Sequence, residues 1–292
     1  MKAAHEISAL APAKINLFLH VGDKRADGYH NLCSLAAFAD IGDTIAAAPA
    51  ERLSLTNMGP FAVALEGEGD DNLVLRAAVA LQDWARAKDL KIDGARLTLT
   101  KVLPIASGIG GGSSDAATTL KLLNELWHTR ATSADLAHIG ATLGADVPVC
   151  LAAHASLMEG IGEKLTPWPN LPPLPAVLVN PRVSVMTGDV FGELRERTGN
   201  AAPSHADLRT PRETATWLAR TRNDLQEPAA RIAPIILDAL TQLSSTNCLL
   251  SRMSGSGATC FGLYETAADA SAAAKAILAN RTHWWVAATT LR

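Results

Sequence analysis

A glycine-rich segment between a strand-like run and a helical run is the feature that most limits how this chain can fold. Four glycines fall within five residues there, over 108–112. Glycine lets the backbone adopt positive φ and come close to a ligand, and consecutive amides at a helix N-terminus attract anions. The order of strand, loop and helix therefore predicts a phosphate-binding loop, with a flexible surface turn as the alternative. The predicted loop comprises Pro104, Ile105, Ala106, Ser107, Gly108, Ile109, Gly110, Gly111, Gly112, Ser113 and Ser114.

This loop departs from the common nucleotide-binding patterns. No Gly-Lys-Ser/Thr follows the glycines, which excludes a Walker A loop. A dinucleotide-binding fingerprint that starts at Gly108 would place Ser113 where the third glycine belongs. The chain contains neither H-R-D nor D-F-G, so the protein-kinase signature is also absent.

Four other segments narrow the interpretation. They read APAKINLFL over 11–19, RADGYH over 25–30, GADVP over 144–148 and SGSGA over 254–258. Together with the glycine loop, they resemble the GHMP family of small-molecule kinases, from about Ala11 to about Tyr264. The resemblance implies an α+β, two-domain GHMP kinase fold. Its N-terminal domain, 1–165, would be ribosomal-protein-S5-domain-2-like and would bind ATP and carry catalysis. Its C-terminal domain, 166–292, would be a ferredoxin-like α/β sandwich that binds substrate.

Within this family, the chain is most similar to members that act on a cytidine-diphosphate-linked polyol. The resemblance implies ATP-dependent phosphorylation of cytidine-diphosphate-linked methylerythritol, a step of the non-mevalonate isoprenoid pathway. ATP is then the co-substrate, and Mg²⁺ is expected with it because the metal neutralises phosphate charge. Two alternatives stay open at this point. One is a GHMP kinase for another alcohol, such as homoserine or mevalonate, and the other is a non-catalytic sensor on the same fold.

Two charged residues are candidates for catalysis. Asp146 lies in a Gly-Ala-Asp-Val-Pro turn, where an aspartate is more often a turn or cap residue. Lys14 interrupts an apolar strand, and the two-residue repeat places it on the same face as Asn16. The resemblance implies that Asp146 is the general base, that Lys14 assists it, and that Asn16 lines the substrate site.

Aromatic residues near turns are candidates for binding a base. Tyr29 and His30 follow a turn signal at 27–28, and an aromatic ring in such a place either packs or stacks on a base. The resemblance implies that Tyr29 stacks on cytosine, that His30 bonds its polar edge, and that Thr187 and Phe191 form a second wall. The turn 254–257 is either a second anion-binding turn or a tight connection between strands.

Composition excludes several classes of protein. Of 292 residues, 48% are hydrophobic and 19% are charged, which is typical of a compact protein with room for two domains. The formal net charge of −3 gives no basic footprint for nucleic acid. The four cysteines lack zinc-site spacing, and no apolar run approaches the ~18 residues of a membrane span. We therefore expect a cytoplasmic protein, a monomer or weak homodimer, with no nucleic-acid or membrane partner.

Hydrophobic periodicity predicts the order of helices and strands. A run with five prolines, 166–175, is predicted to be a stiff crossover that is neither helix nor interior strand. Turn signals fall at 27–28 and 42–43. Strands are predicted over 7–22, 35–48, 95–103, 176–180, 249–253, 259–264 and 284–289, with a strand pair over 51–66. Helices are predicted over 73–87, 116–127, 133–144, 187–197, 212–219, 225–231, 232–244 and 267–279.

Overall fold

The computed structural model describes residues 6–67, 69–195, 199, 201 and 206–292. Two compact units are formed from interleaved parts of the chain. The first unit contains the described residues of Met1–Ala13, Ile41–Ile105 and Gly110–Ala153. The second unit contains those of Lys14–Asp40, Ala106–Ile109 and His154–Arg292.

Helices and strands are mixed along the whole chain, so the predicted α+β class is confirmed. The strands are β1 (Ile7–Lys24), β2 (His30–Ala50), β3 (Ser54–Met58), β4 (Gly94–Thr100), β5 (Ser156–Gly160), β6 (Lys164–Pro167), β7 (Leu174–Asn180), β8 (Leu250–Met253), β9 (Cys260–Leu263) and β10 (Trp285–Leu291). The α-helices are α1 (Leu73–Arg86), α2 (Gly111–Leu126), α3 (Ser133–Leu143), α4 (Val147–Ala152), α5 (Thr187–Gly192), α6 (Pro211–Leu218), α7 (Gln226–Ile232), α8 (Ile235–Ser244) and α9 (Ala267–Asn280).

In the described part of the first unit, β2, β3 and β4 form a sheet beside the helices α1 to α4. Residues 44–50 of β2 pair antiparallel with β4, and β3 pairs parallel with the other edge of β4. Helix α2 packs against α1, α3 and α4. The glycine loop therefore follows the end of β4, and α2 begins within that loop.

The second unit has the strand order β8-β9-β7-β10, with antiparallel pairing throughout. Helix α9 packs against β7 and β10, and α8 packs against β8 and β9. Residues 32–36 of β2 pair with β5, which pairs with β6. One buried apolar cluster joins β1, the sheet and the helices, and it includes Leu19, Val179, Ile236, Tyr264 and Trp284.

Local capping chemistry explains the helix starts that were predicted well. Asn72 accepts a hydrogen bond from the Val74 amide at 2.9 Å and so caps α1. Thr132 and Asp135 form a reciprocal capping box at the start of α3. Helix α2 instead begins at Gly111, five residues before the predicted Ala116, because the glycines themselves form its first turn. The predicted helix 187–197 is observed as α5, which ends at Gly192, and residues 196 and 197 lie outside the described ranges.

Two predictions in the strand regions were wrong, and one hairpin was missed. The turn at 42–43 is absent from the described backbone, because Gly42 continues β2 beside Ala11; a Cβ at Gly42 would lie 2.1 Å from the Ala11 carbonyl oxygen. The strand pair over 51–66 is one strand, β3, followed by a 3-10 helix over Ala62–Leu65. The hairpin of β5 and β6 was not predicted.

The proline-rich crossover is shorter than predicted. Pro167 belongs to β6, and Leu174 and Pro175 begin β7. Pro175 lies at the second residue of β7, near the strand start where proline is tolerated. It lacks an N–H, but its carbonyl still accepts the Tyr264 amide at 2.8 Å. Among the described residues, none of the helices combines the length and apolar character needed to cross a membrane.

A buried cation, Arg252 on β8, holds three segments of the second unit together. Its guanidinium donates to the Leu17 carbonyl at 2.8 Å and to the Leu218 carbonyl at 2.9 Å. It also donates to the carbonyl and the hydroxyl of Thr221, at 2.8 and 2.9 Å. Burial lowers the pKa of Arg252 to about 10. The carbonyl of β1 at Leu17 is thereby satisfied by a residue near the C-terminus.

Candidate active site

The glycine loop takes a left-handed backbone conformation at three places. Ala106 has a φ of 48°, Gly108 of 73° and Gly110 of 63°. Only glycine adopts these values without strain, so Ala106 carries a conformational cost of about 1–3 kcal/mol. The loop is therefore a fixed sequence of turns and not an unstructured connection.

In the second unit, the turn 254–257 packs on the loop at Gly108. The Ser254 hydroxyl donates to the Gly108 carbonyl at 3.0 Å and accepts the Asn16 amide at 3.1 Å. A Cβ at Gly108 would lie 2.5 Å from the Ser254 carbonyl oxygen and 2.6 Å from the Gly257 nitrogen. The loop, the turn and β1 therefore meet at this glycine, where a side chain has no room.

Lys14 and Asn16 are both buried in β1. The Lys14 amide donates to the Ile109 carbonyl at 2.9 Å, so β1 runs beside the loop within the second unit. The Asn16 side-chain amide donates to the Ser34 hydroxyl at 2.7 Å, which fixes its orientation. A buried lysine in a strand differs from the solvated edge lysine that is the commoner case.

In the first unit, Asp146 directly precedes α4 and is only partly exposed. Its carbonyl accepts the Cys150 amide at 3.1 Å, whereas its side chain makes no capping hydrogen bond with the described backbone of α4. The interpretation of Asp146 as an ordinary helix cap therefore loses its support.

The first turn of α2 consists of Gly111, Gly112 and Ser113, after Gly110 as N-cap. The Gly110 carbonyl accepts the Ser114 amide at 2.8 Å, which closes the first helical hydrogen bond. The amides of a first turn have no acceptor inside their own helix, and the helix dipole adds positive potential there. This end of α2 therefore has the chemistry of an anion-binding site, as the sequence predicts.

A buried charge cluster beneath this turn was missed by sequence reasoning. Lys101 Nζ lies 2.6 Å from Asp43 Oδ2 and 2.6 Å from Asp115 Oδ2, and all three side chains are buried. Burial raises the pKa of Asp115 to about 7, although Lys101 opposes the shift. Burial alone would lower the pKa of Lys101, but the two carboxylates more than offset it and raise that pKa. The available signal was a lysine at the end of an otherwise uncharged strand stretch, 97–103.

The predicted base-binding residues lie in the second unit. The rings of His30 and Phe191 are stacked, with centroids 5.1 Å apart and planes at 17°. Tyr29 is 60% exposed after the turn at 27–28, and its amide donates to Asp27 Oδ1 at 3.1 Å. The Thr187 and Ser256 hydroxyls are 2.8 Å apart, which joins the start of α5 to the turn 254–257. The structure thus brings together His30 with Phe191 and Thr187 with the glycine turn.

Comparison with known proteins identifies the family. Residues 72–154 match the GHMP kinases N terminal domain, and residues 201–281 match the GHMP kinases C terminal domain. The chain belongs to the GHMP kinase family. The sequence predictions of a GHMP kinase fold and of an ATP-dependent small-molecule kinase are therefore confirmed.

Relatives of this GHMP kinase align over nearly its whole length. A 4-diphosphocytidyl-2-C-methyl-D-erythritol kinase from Dinoroseobacter shibae is 51% identical and covers 98% of this chain and 95% of its own. One of the same name from Hyphomonas neptunium is 49% identical over 99% and 98% of the two chains. A crystal structure of 4-(cytidine 5'-diphospho)-2C-methyl-D-erythritol kinase superposes with a TM-score of 0.78 at 34% identity, covering 98% of this chain and 99% of the other.

The acidic residues of the structure bear on where a metal ion could bind. Among the described residues, no group of three or more His, Cys, Asp or Glu side chains is arranged to hold a metal ion. Asp115, which directly follows the two serines of the loop, has its Oδ2 engaged by Lys101.

Proposed function

We propose that this GHMP kinase transfers the γ-phosphoryl group of ATP to the 2-hydroxyl of 4-diphosphocytidyl-2-C-methyl-D-erythritol. The observation that carries the proposal is 51% identity, over 98% of the chain, to a relative of that name. The reaction is a step of the non-mevalonate route to isoprenoid precursors. A base-containing substrate also accounts for aromatic residues that homoserine or mevalonate would leave without a role.

In this proposal, ATP binds to the loop 104–114. The left-handed turns at Gly108 and Gly110 support it, because they present backbone amides without side chains in the way. The positive end of α2 supports it as well, since negative charge on the phosphates is favoured there. Phosphoryl transfer needs fixed phosphates and neutralised charge more than it needs covalent help from the protein.

Asp146 is proposed as the general base that accepts the proton of the attacking hydroxyl. Its side chain makes no capping hydrogen bond to the described backbone of α4, which supports a role other than helix capping. Lys14 is proposed to assist catalysis as the cation of the reaction, since positive charge favours the ionised form of a carboxylate. The burial of Lys14 supports a role other than solubility.

Five side chains of the second unit are proposed to bind the cytidylyl substrate. Asn16 lines the site, and its hydrogen bond to Ser34 supports a fixed orientation. The stacked pair of His30 and Phe191 supports an aromatic environment for a base. The proposed residues are Asn16, Tyr29, His30, Thr187 and Phe191.

The remaining assignments complete the proposal. Mg²⁺ accompanies ATP and neutralises charge between its β- and γ-phosphates. Residues 1–165 serve ATP binding and catalysis and also contribute Asn16, Tyr29 and His30 to substrate binding, and residues 166–292 form the domain that mainly serves substrate binding. The kinase acts in the cytoplasm as a monomer or weak homodimer without nucleic-acid or membrane partners; four free cysteines support a reducing compartment.

The decisive experiment measures ADP release by the purified protein with ATP, Mg²⁺ and each of three acceptors. The acceptors are the cytidylyl methylerythritol, homoserine and mevalonate. We expect turnover with the first alone, and turnover with either of the others in its place would refute the proposal. Failure of all three to react, with ATP still bound, would favour the non-catalytic sensor.

The loop assignment has its own test. A valine at Gly110 would place a branched side chain at a left-handed position, so Gly110→Val should abolish ATP binding. Calorimetry on the folded variant gives the answer. Wild-type affinity in Gly110→Val would remove the loop from the ATP site.

A further inference from the structure

One buried lysine joins the end of β4 to the start of α2. Lys101 Nζ lies 2.6 Å from Asp43 Oδ2 and 2.6 Å from Asp115 Oδ2, and the three residues belong to the first unit. We propose that Lys101 is a positioning residue for ATP binding, because its two ion pairs hold the first turn of α2 against the end of β4. The inference rests on the proposed binding of ATP at the loop 104–114.

Asp43 fixes the entry to the loop. Its Oδ1 accepts the amides of Val102 and Leu103 at 2.6 and 2.9 Å, while its Oδ2 accepts Lys101. Hydrogen bonds to an ionised acceptor are shorter and stronger than neutral ones. The two residues that precede Pro104 are therefore tied to the same carboxylate that holds the lysine.

Asp115 fixes the exit from the loop. It lies in α2, two residues after the first turn, and its Oδ2 accepts Lys101 at 2.6 Å. Because the side chain is buried, water does not compete with the lysine for this oxygen. The ammonium is thus the shared partner of a carboxylate on each side of the loop.

Gly111 shows how closely the ammonium approaches the proposed phosphate site. A Cβ at Gly111 would lie 3.2 Å from Lys101 Nζ and 3.7 Å from Asp43 Oδ2. Gly111 is a helical residue, so its backbone conformation alone does not require glycine. The missing side chain makes room for the charge cluster directly under the first turn of α2.

The test removes the connection to α2 without leaving a charge unpaired. Asp115→Ala leaves Lys101 balanced by Asp43, whereas Lys101→Met alone would bury two carboxylates without a counter-charge. Asp115→Asn keeps an oxygen that accepts the lysine and is the conservative rescue. Glu125→Ala is the matched control, since it removes an exposed carboxylate from the same helix.

Calorimetry with ATP and Mg²⁺ on the folded proteins measures the effect. We expect Asp115→Ala to weaken ATP binding about tenfold or more, as a misplaced binding group does. Asp115→Asn and Glu125→Ala should stay within about twofold of wild type, as substitutions that keep the contacts do. The KM for the cytidylyl substrate should not change in any of them. A purely structural cluster would lower the melting temperature of Asp115→Ala without changing ATP affinity in the folded protein.

Three results would overturn the positioning role. They are wild-type ATP affinity in folded Asp115→Ala, an equal loss in Glu125→Ala, and an equal loss for both substrates. If Asp115→Ala does not fold, Asp115→Ser replaces it, because serine is too short to keep the contact with Lys101 yet leaves Lys101 balanced by Asp43, and it should show the same loss. Loss of ATP binding in Gly110→Val with wild-type affinity in Asp115→Ala would refute this inference alone. Wild-type ATP binding in Gly110→Val would instead refute the proposed loop.

Discussion

Gly108 offers the sharpest test of how the loop is held, because its effect can be worked out from local geometry. Alanine there would adopt a φ of 73°, which costs about 1–2 kcal/mol for a residue with a side chain. Its Cβ would also lie 2.5, 2.6 and 2.8 Å from three backbone atoms of Ser254 and Gly257. Backbone cannot rotate away as a side chain can, so overpacking adds about 1–3 kcal/mol. The expected loss of stability is about 2–5 kcal/mol.

Two other glycines separate the contributions. Gly28 has a φ of 88° but no atom within 4 Å of an added Cβ, so Gly28→Ala carries the backbone strain alone, about 1–2 kcal/mol. Gly188 has neither positive φ nor a close neighbour, so Gly188→Ala should stay within about 0.5 kcal/mol. Gly108→Ala therefore includes both backbone strain and close contact, Gly28→Ala includes backbone strain alone, and Gly188→Ala includes neither.

Thermal unfolding of the three variants and wild type measures these terms. At about 2–4 °C per kcal/mol, Gly28→Ala should lower the melting temperature by about 2–8 °C and Gly108→Ala by about 4–20 °C. ATP affinity should fall in Gly108→Ala and remain unchanged in Gly188→Ala. A melting temperature for Gly108→Ala no lower than that of Gly28→Ala would refute the argument that the turn 254–257 braces the loop.

Three further results are expected. Asp146→Asn should lower kcat about 10²- to 10⁴-fold with little change in the dissociation constant of either substrate. Lys14→Met should also lower kcat, and the loss in the double variant should be smaller than the sum of the two single losses. Steady-state kinetics with binding measurements would decide, and near-normal turnover in Asp146→Asn would leave Asp146 as a turn residue. Tyr29→Ala should raise the KM for the cytidylyl substrate about 5- to 150-fold, which corresponds to the stacking free energy of one base, and leave the KM for ATP unchanged. An equal rise in both KM values would indicate misfolding. Because burial raises the pKa of Asp115 from 3.8 to about 7, wild type should lose stability as the pH rises from about 4 to about 7. The melting temperature of Asp115→Asn should therefore rise relative to wild type across this range and keep that difference at higher pH, and no relative rise in a pH series of melts would contradict this.

Local signals were sufficient for much of the fold. Asn72 and Thr132 cap their helices through contacts within three residues, so the sequence alone predicts where α1 and α3 begin. The turn at 27–28 is observed for the same reason, since Gly28 supplies the positive φ that it needs. The loop and its place before α2 follow from glycine spacing and the helical period.

Long-range contacts account for what sequence reasoning missed. The sequence around Gly42 predicts a turn, but Gly42 is a strand residue that lies against the backbone of Ala11. The strand β5 pairs with β2, about 120 residues earlier, and no local pattern reports such a partner. Lys101 and Asp43 are 58 residues apart, and their pairing is evident only in the folded chain. The individual catalytic and binding roles remain predictions that the experiments above address.

The buried Arg252 guanidinium makes the N-terminal strand depend on a residue that the ribosome adds late. The Leu17 carbonyl receives its hydrogen bond from a side chain 235 residues further along the chain. At about 5–20 residues per second, that partner emerges roughly 12 to 47 s after Leu17. During this interval, the Leu17 carbonyl lacks its native partner, and the apolar strand that carries Lys14 and Asn16 has not reached its final packing. We therefore expect β1, with the predicted catalytic lysine, to reach its final position only when synthesis is almost complete.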